Sequence, residues 1–261
     1  MAMEAVLSVK NLAAYFYTRD RIVKAVDGVS LEIRSGTVTA IVGESGCGKT
    51  VTAMSILGLL AFPGRIVAGE ILLNGRDLRR LTLKQLQEVR GGEIAMIFQD
   101  PVNALNPVLT VGTQMIEAVV CHRRAAGAEA RALVLECMGK LGLPAPDKMF
   151  GMYPFQLSGG MCQRIMIATA LSLSPSILIA DEPTTALDVT VQAQILDELC
   201  RLKREFGTGI LLITHDLGVV AEIADVVYIM QGGLIVESGT VYEIFDRPVH
   251  PYTKRLLQSF F

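Results

Sequence analysis

No stretch of this chain approaches the ~18 consecutive apolar residues that a membrane-spanning helix requires, although its mean hydropathy is +0.44. The apolar residues fall instead in short runs such as Ile71–Leu73 and Ile210–Ile213, which read as buried strands. A basic block is also missing. The 24 Lys and Arg against 26 Asp and Glu leave a net charge of −2, a poor basis for binding nucleic acid. No Cys-x-x-Cys pair occurs. The five scattered cysteines (Cys47, Cys121, Cys137, Cys162 and Cys200) speak against a disulfide framework or a zinc site and read as small packing residues. Met1 to Ala14 alternates and contains Glu4 and Lys10, unlike a secretory leader, so cytoplasmic residence is expected. There is no internal repeat or low-complexity segment. With 261 residues, 51% of them hydrophobic, the chain suits one large α/β domain with an inserted part.

From Leu7 to Val42 the chain reads as strands, with turn signals at Asp27-Gly28 and Ser35-Gly36. Thr37–Val42 is a β-branched apolar run, and a helix is predicted over Val51–Leu60. Gly69 to Asn74-Gly75 reads as a return hairpin in a small antiparallel sheet. The texture then changes: from about Gln99 to Leu157 helical periodicity dominates, at Gln114–His122 and Ala128–Leu141, broken by Pro144 and Pro146. From Ser158 helices and strands alternate: a helix to Leu173, strand Ser176–Ala180, helix Val189–Phe206, strand Gly209–Thr214, helix Leu217–Ala224, then strands Val226–Met230 and Leu234–Glu237. This alternation implies a mostly parallel, doubly covered sheet. The expected division is an α/β core over 1–98 and 158–261, with an inserted helical subdomain at 99–157.

Gly43-Glu-Ser-Gly-Cys-Gly-Lys-Thr50 follows a predicted strand and opens a predicted helix, the context a phosphate loop needs. Glycines 43, 46 and 48 let backbone amides curl around phosphates, with the helix N-terminus behind them. Lys49 is expected to reach the β- and γ-phosphates, and the Thr50 hydroxyl to ligate Mg²⁺. Ser176-Ile-Leu-Ile-Ala-Asp181-Glu182 is an apolar strand ending in carboxylates. Asp181 suits the Mg²⁺ sphere through water, and Glu182 suits the polarisation of an attacking water. Standing alone, the same pair could simply cap a helix. Leu157-Ser-Gly-Gly-Met-Cys-Gln-Arg164 opens another helix with small residues and is a second anion site. One subunit can hardly fold both sites around one triphosphate, so two chains facing each other, each clamping the other's nucleotide, is the economical reading.

Gly43–Thr50, Gln99, Leu157–Arg164, Ile177–Pro183, Ala186-Leu187-Asp188 and His215 resemble, in order, the motifs of ATP-binding cassette (ABC) ATPases over nearly the whole chain. More narrowly, Ile97-Phe-Gln-Asp-Pro101, Leu105-Asn-Pro107, Ala180–Asp188 and His250-Pro-Tyr-Thr253 are similar to the ATPases of dipeptide, oligopeptide and nickel importers. The resemblance implies a P-loop NTPase core with a small antiparallel β subdomain and an inserted α-helical subdomain. It implies ATP binding at Gly43, Glu44, Ser45, Gly46, Cys47, Gly48, Lys49, Thr50, Val51 and Asp181. Gln99 would contact Mg²⁺ and the attacking water, and His215 would hydrogen-bond the γ-phosphate. Ser158, Gly159, Gly160, Gln163 and Asp188 would act on the partner's ATP. The family's adenine-stacking aromatic matches Phe16 by its distance from Asn11-Leu12, with Tyr15 and Tyr17 as alternatives; any of these rings can instead belong to the core. His122 and His250 receive no role.

The implied activity is ATP hydrolysis coupled to import of peptides or nickel. The implied partners are a second copy or a second ABC ATPase, transmembrane permease subunits and, indirectly, an extracytoplasmic solute-binding protein. The implied location is the cytoplasmic face of the inner membrane, peripherally. Many peptide-importer ATPases continue into a cysteine-bearing extension, so a chain stopping at Phe261 is expected to hold no iron–sulfur cluster. A soluble ABC ATPase of nucleic-acid maintenance would show two cassettes, a coiled coil or a basic face. A kinase or GTPase would not need Leu157–Arg164, and the guanine-reading Asn-Lys-x-Asp is absent. A non-hydrolysing regulatory cassette would not need Glu182 and His215.

Overall fold

A computed structural model describes residues 5–123, 125, 127–184 and 188–258. In chain order the elements begin with β1 (Ala5–Tyr17), β2 (Ile22–Arg34), β3 (Val38–Val42), α1 (Lys49–Ile56), β4 (Gly64–Leu73), β5 (Arg76–Asp77), α2 (Leu83–Gly92) and β6 (Ile94–Ile97). There follow α3 (Pro101–Ala104), α4 (Val111–Arg123), α5 (Gly127–Lys140), α6 (Pro146–Phe150), α7 (Gly159–Ser172), β7 (Ile177–Asp181) and α8 (Val189–Phe206). The chain ends with β8 (Gly209–Thr214), α9 (Leu217–Ile223), β9 (Val226–Gln231), β10 (Leu234–Thr240), α10 (Val241–Asp246) and α11 (Pro251–Gln258). Contacts divide the chain into two units, Met1–Gln87 with Gly209–Phe261, and Glu88–Thr208.

In the first unit an antiparallel sheet runs β2-β1-β4-β5. Leu7, Val9, Leu12, Val29, Leu31 and Ile33 are buried along the β1–β2 pairing, each such side chain contributing roughly 1.5–3 kcal/mol. The Asp27-Gly28 turn expected from sequence is absent. Both residues lie inside β2, where Gly28 (φ 86°) is the extra residue of a bulge between the Leu12–Val29 and Ala13–Asp27 pairs. A bulge and a turn place the same demand for positive φ on glycine, and here the strand continues. The reversal falls at 18–21 instead, closed by the Thr18 amide on the Arg21 carbonyl (3.1 Å). The Ser35-Gly36 turn forms as expected.

In the same unit β3 pairs in parallel with both β8 and β9, and β9 pairs antiparallel with β10. All five residues of β3 and all six of β8 are buried, as their unbroken apolar, β-branched runs require for strands covered on both faces. The C-terminal α10 and α11 went unforeseen. Thr240 and Glu243 start α10 with a reciprocal capping box, and Pro251 opens α11.

In the second unit β6 and β7 pair in parallel from Ile94–Ile177 to Ile97–Ala180. Helices α4, α5, α6 and α7 pack on one another around Met115, Val119, Ala130, Val134, Met138 and Ile165. Gly112 lets α6 approach: a Cβ there would lie 2.4 Å from the Phe150 ring. Helix α8 spans the residues expected from sequence because Asp188 caps its start and Gly207, in the left-handed region (φ 66°), ends it.

Candidate nucleotide site

Between β3 and α1 the loop Gly43–Gly48 carries Gly46 at φ 79° and Gly48 at φ 113°. A Cβ on Gly43 would stand 2.1 Å from the Met230 carbonyl oxygen, and one on Gly48 2.2 Å from that of Ala25. The loop therefore needs glycine at both places for close backbone approach, and at Gly48 for its left-handed conformation as well. Lys49 is buried, and its ammonium donates to the carbonyls of Gly43 (2.7 Å) and Glu44 (3.0 Å) and lies 4.0 Å from Cys47 Sγ. Burial pushes the Cys47 thiol above its ordinary pKa despite that lysine. Helix α1 has neither a side-chain cap nor an acidic residue in its first turn, so the positive end of its dipole is left for a ligand. Thr50 and Val51 are half-buried on that turn, while Glu44, Ser45 and Gly46 are exposed.

The parallel register sets Val42 beside Thr214, so His215 and Gly43 leave the same end of neighbouring strands. His215 is exposed, and the Asp216 carboxylate accepts from the amides of Gly218 (2.8 Å) and Val219 (3.3 Å) to cap α9. Phe16 is half-buried opposite Val23, its ring so close to Gly64 that a Cβ there would meet it at 2.8 Å. The Tyr15 phenol is committed to the Asp27 carboxylate, which also binds the Lys24 ammonium at 3.1 Å. These hydrogen bonds raise the pKa of Tyr15 and lower that of Asp27. Tyr17 is exposed, with the Arg65 guanidinium 6.0 Å from its ring centre.

In the second unit Asp181 ends β7 and is 1% exposed. Glu182 follows, buried and at φ 51°, a left-handed backbone uncommon for this residue type. Since Ile97 pairs with Ala180, exposed Gln99 leaves the same strand ends as Glu182. Ser158 caps α7 by accepting from the Met161 amide (3.3 Å); it and Gly159 are exposed, and Gly160 is half-buried. Gln163 faces inward: its amide donates to the Pro183 carbonyl and more weakly to that of Glu182 (3.5 Å). A contact with a partner's nucleotide would require this side chain to give up those bonds. Exposed Asp188 accepts from the Val191 amide (2.9 Å). Its neighbours Ala186 and Leu187 lie outside the described residues.

Sequence reasoning missed two residues that hold the phosphate loop. The Gly233 amide donates to the Cys47 carbonyl (2.9 Å), and the Glu44 amide donates to the Tyr252 phenol oxygen (3.1 Å). The Gly232-Gly233 pair and the His250–Thr253 motif were the available signals. Among the described residues no group of three His, Cys, Asp or Glu could form a metal cluster of its own.

Residues 26–185 match the family model described as ABC transporter. The dipeptide transport ATP-binding protein DppD of Bacillus subtilis (strain 168) is 52% identical over 258 residues, which cover 98% of this chain and 77% of the relative. The oligopeptide transport ATP-binding protein AppD of the same organism is 48% identical over 258 residues, covering 98% and 79%. Among solved structures, the dimeric post-hydrolysis state of the ATP-binding cassette MJ0796 bound to ADP and Pi superposes with a TM-score of 0.82 at 29% identity. That match covers 90% of this chain and 98% of the other. A phosphate loop built on close-approach glycines and a likeness this extensive agree: the chain belongs to the ABC transporter family and is one of its ATP-hydrolysing cassettes.

Proposed function

We propose that the chain is the motor subunit of a membrane peptide importer, working as a dimer with a second copy or a homologous cassette. The phosphate loop Gly43–Val51 cradles ATP, with Lys49 on the β- and γ-phosphates and Phe16 against adenine. The commitment of Tyr15 to Asp27 favours Phe16 among the three rings. The Thr50 hydroxyl and the buried Asp181 carboxylate are hard oxygen donors suited to Mg²⁺, and we assign it to Thr50, Gln99 and, through water, Asp181. When bound, such an ion would offset the charge that develops on the γ-phosphate oxygens.

Glu182 takes a proton from water as the water oxygen bonds to the γ-phosphorus and the bond to the bridging oxygen breaks, giving ADP and phosphate. His215 hydrogen-bonds the γ-phosphate. Ser158, Gly159, Gly160, Gln163 and Asp188 complete the site of the facing subunit. The exposed caps at Ser158 and Asp188 support this reading, because both can be presented outward. Residues 99–157 form the inserted helical subdomain of a core made by 1–98 and 158–261. Near Gln99, exposed Val102 and Val108 offer apolar contact to permease subunits.

Peripheral attachment to the cytoplasmic membrane face, through those subunits, goes with this role. No helix among the described residues is long and apolar enough to cross a membrane. The observation that carries the nucleotide reading is the Lys49 ammonium set into a glycine loop at an uncapped helix start. The names of the relatives favour peptide over nickel as cargo. The test is co-purification with permease subunits and reconstitution into vesicles. ATP-dependent uptake of labelled dipeptides or oligopeptides, lost in Lys49→Ala, is expected. Uptake of Ni²⁺ alone would reassign the cargo, and a chain that binds no permease would return it to the soluble or regulatory cassettes.

A further inference from the structure

We propose that Tyr252, on the C-terminal helix α11, is a positioning residue for nucleotide binding that acts through the Gly43–Glu44 peptide on Lys49. The inference rests on the nucleotide reading of the phosphate loop and adds a residue to it. The carbonyl of Gly43 and the amide of Glu44 belong to one planar trans peptide group and point in opposite directions. On one side the carbonyl accepts from the Lys49 ammonium at 2.7 Å. On the other the amide donates to the Tyr252 phenol oxygen at 3.1 Å. The group cannot rotate about its flanking bonds without straining both contacts. The tyrosine thus sets the direction of the carbonyl on which the phosphate-reaching lysine rests.

Tyr252 is suited to this task because it is itself fixed. It is 3% exposed, and burial raises its phenol pKa, so it stays neutral and can serve as an acceptor. Helix α11 is held at its start by Glu237 of β10, whose carboxylate accepts from the amides of Val249 (2.6 Å) and His250 (3.0 Å). The Tyr252 amide donates to His250 Nδ1 at 3.2 Å. The His-Pro-Tyr-Thr segment, which no step of hydrolysis uses, therefore forms a path from strand β10 to the mouth of the phosphate loop. Nearby, the Gly233 amide ties the Cys47 carbonyl, so both ends of the loop are anchored to the C-terminal part of the chain.

Tyr252→Phe removes one hydroxyl and keeps the buried ring, so the fold is expected to survive. ATP is titrated against the unmodified chain and the variant, and hydrolysis is followed over a range of ATP concentrations. One neutral hydrogen bond's worth of positioning predicts a rise of about fivefold in the Kd and KM for ATP, with kcat within about twofold. In a Lys49→Ala background the same change should add nothing to the residual Kd, because the effect runs through that lysine. Thermal unfolding without nucleotide separates positioning from loss of fold. Equal ATP affinity in the variant overturns the proposal, as does a loss confined to kcat or an undiminished fivefold loss without Lys49. Failure of the unmodified chain to bind ATP would instead remove the nucleotide reading itself.

Discussion

Replacing Gln163 with leucine tests whether the buried amide braces Glu182, the proposed base. Gln163 is 3% exposed and gives its side-chain amide to the Pro183 carbonyl and, at 3.5 Å, to the Glu182 carbonyl. Leucine is close in size but brings no donor, so a buried carbonyl loses a partner at a cost of about 1–3 kcal/mol. Glu182 meanwhile holds φ at 51°, and a left-handed backbone costs a residue with a Cβ roughly 1–2 kcal/mol. Gln163 helps to offset that cost. If about 1 kcal/mol then favours relaxation, only about one molecule in six keeps the strained, competent arrangement, and kcat falls about sixfold. The assay is single-turnover ATP hydrolysis beside chemical denaturation. The expected result is a stability loss of about 1–3 kcal/mol together with slower hydrolysis. A Gln163→Leu protein that hydrolyses ATP at the full rate with unaltered stability would refute the reasoning.

Four further outcomes are expected. Lys49→Ala should bind ATP about 10–100-fold more weakly, as loss of one or two charge-assisted hydrogen bonds implies; isothermal titration at the unmodified affinity would contradict this. Gly48→Ala places a Cβ 2.2 Å from the Ala25 carbonyl at φ 113°, so overpacking of about 1–3 kcal/mol should appear as a lowered melting temperature. Glu182→Gln should bind ATP yet accumulate as a closed dimer; size-exclusion chromatography with ATP would reveal it, and brisk turnover would remove Glu182 as the base. Finally, burial raises the Glu237 pKa, but the hydrogen bonds it accepts outweigh burial and hold it below the ordinary value. A depressed folded pKa gives stability that is present above the unfolded value, about 4.3, and lost as pH falls through the folded one. The stability gap between the unmodified chain and Glu237→Gln should therefore narrow in acid, and a gap constant from pH 7 to 3 would deny Glu237 its role as anchor.

Much of this arrangement was legible where the decisive interactions are local. The limits of α8 follow from a cap at Asp188 and a left-handed glycine at 207, both within one turn of the helix they bound. The buried runs of β3 and β8, and the glycines of the phosphate loop, announce themselves by spacing alone. What stayed hidden depends on partners distant in sequence. Tyr252 reaches Glu44 across 208 residues, and the His250–Thr253 motif that contains it gives no hint of that partner. The inward turn of Gln163 depends on which face of α7 meets the strand-end loop. Gly28 was misread because its positive φ serves a bulge as well as a turn, and only the pairing of β1 with β2 decides between them. The engagement of Tyr15 by Asp27 likewise depends on how β1 pairs with β2.

The most direct measurement is a crystal structure of the Glu182→Gln protein with ATP and Mg²⁺. The account predicts paired cassettes in which each γ-phosphate lies between Lys49 of one subunit and the Ser158 cap of the other. A solitary subunit that encloses its nucleotide unaided, with Ser158 turned away from every γ-phosphate, would contradict it.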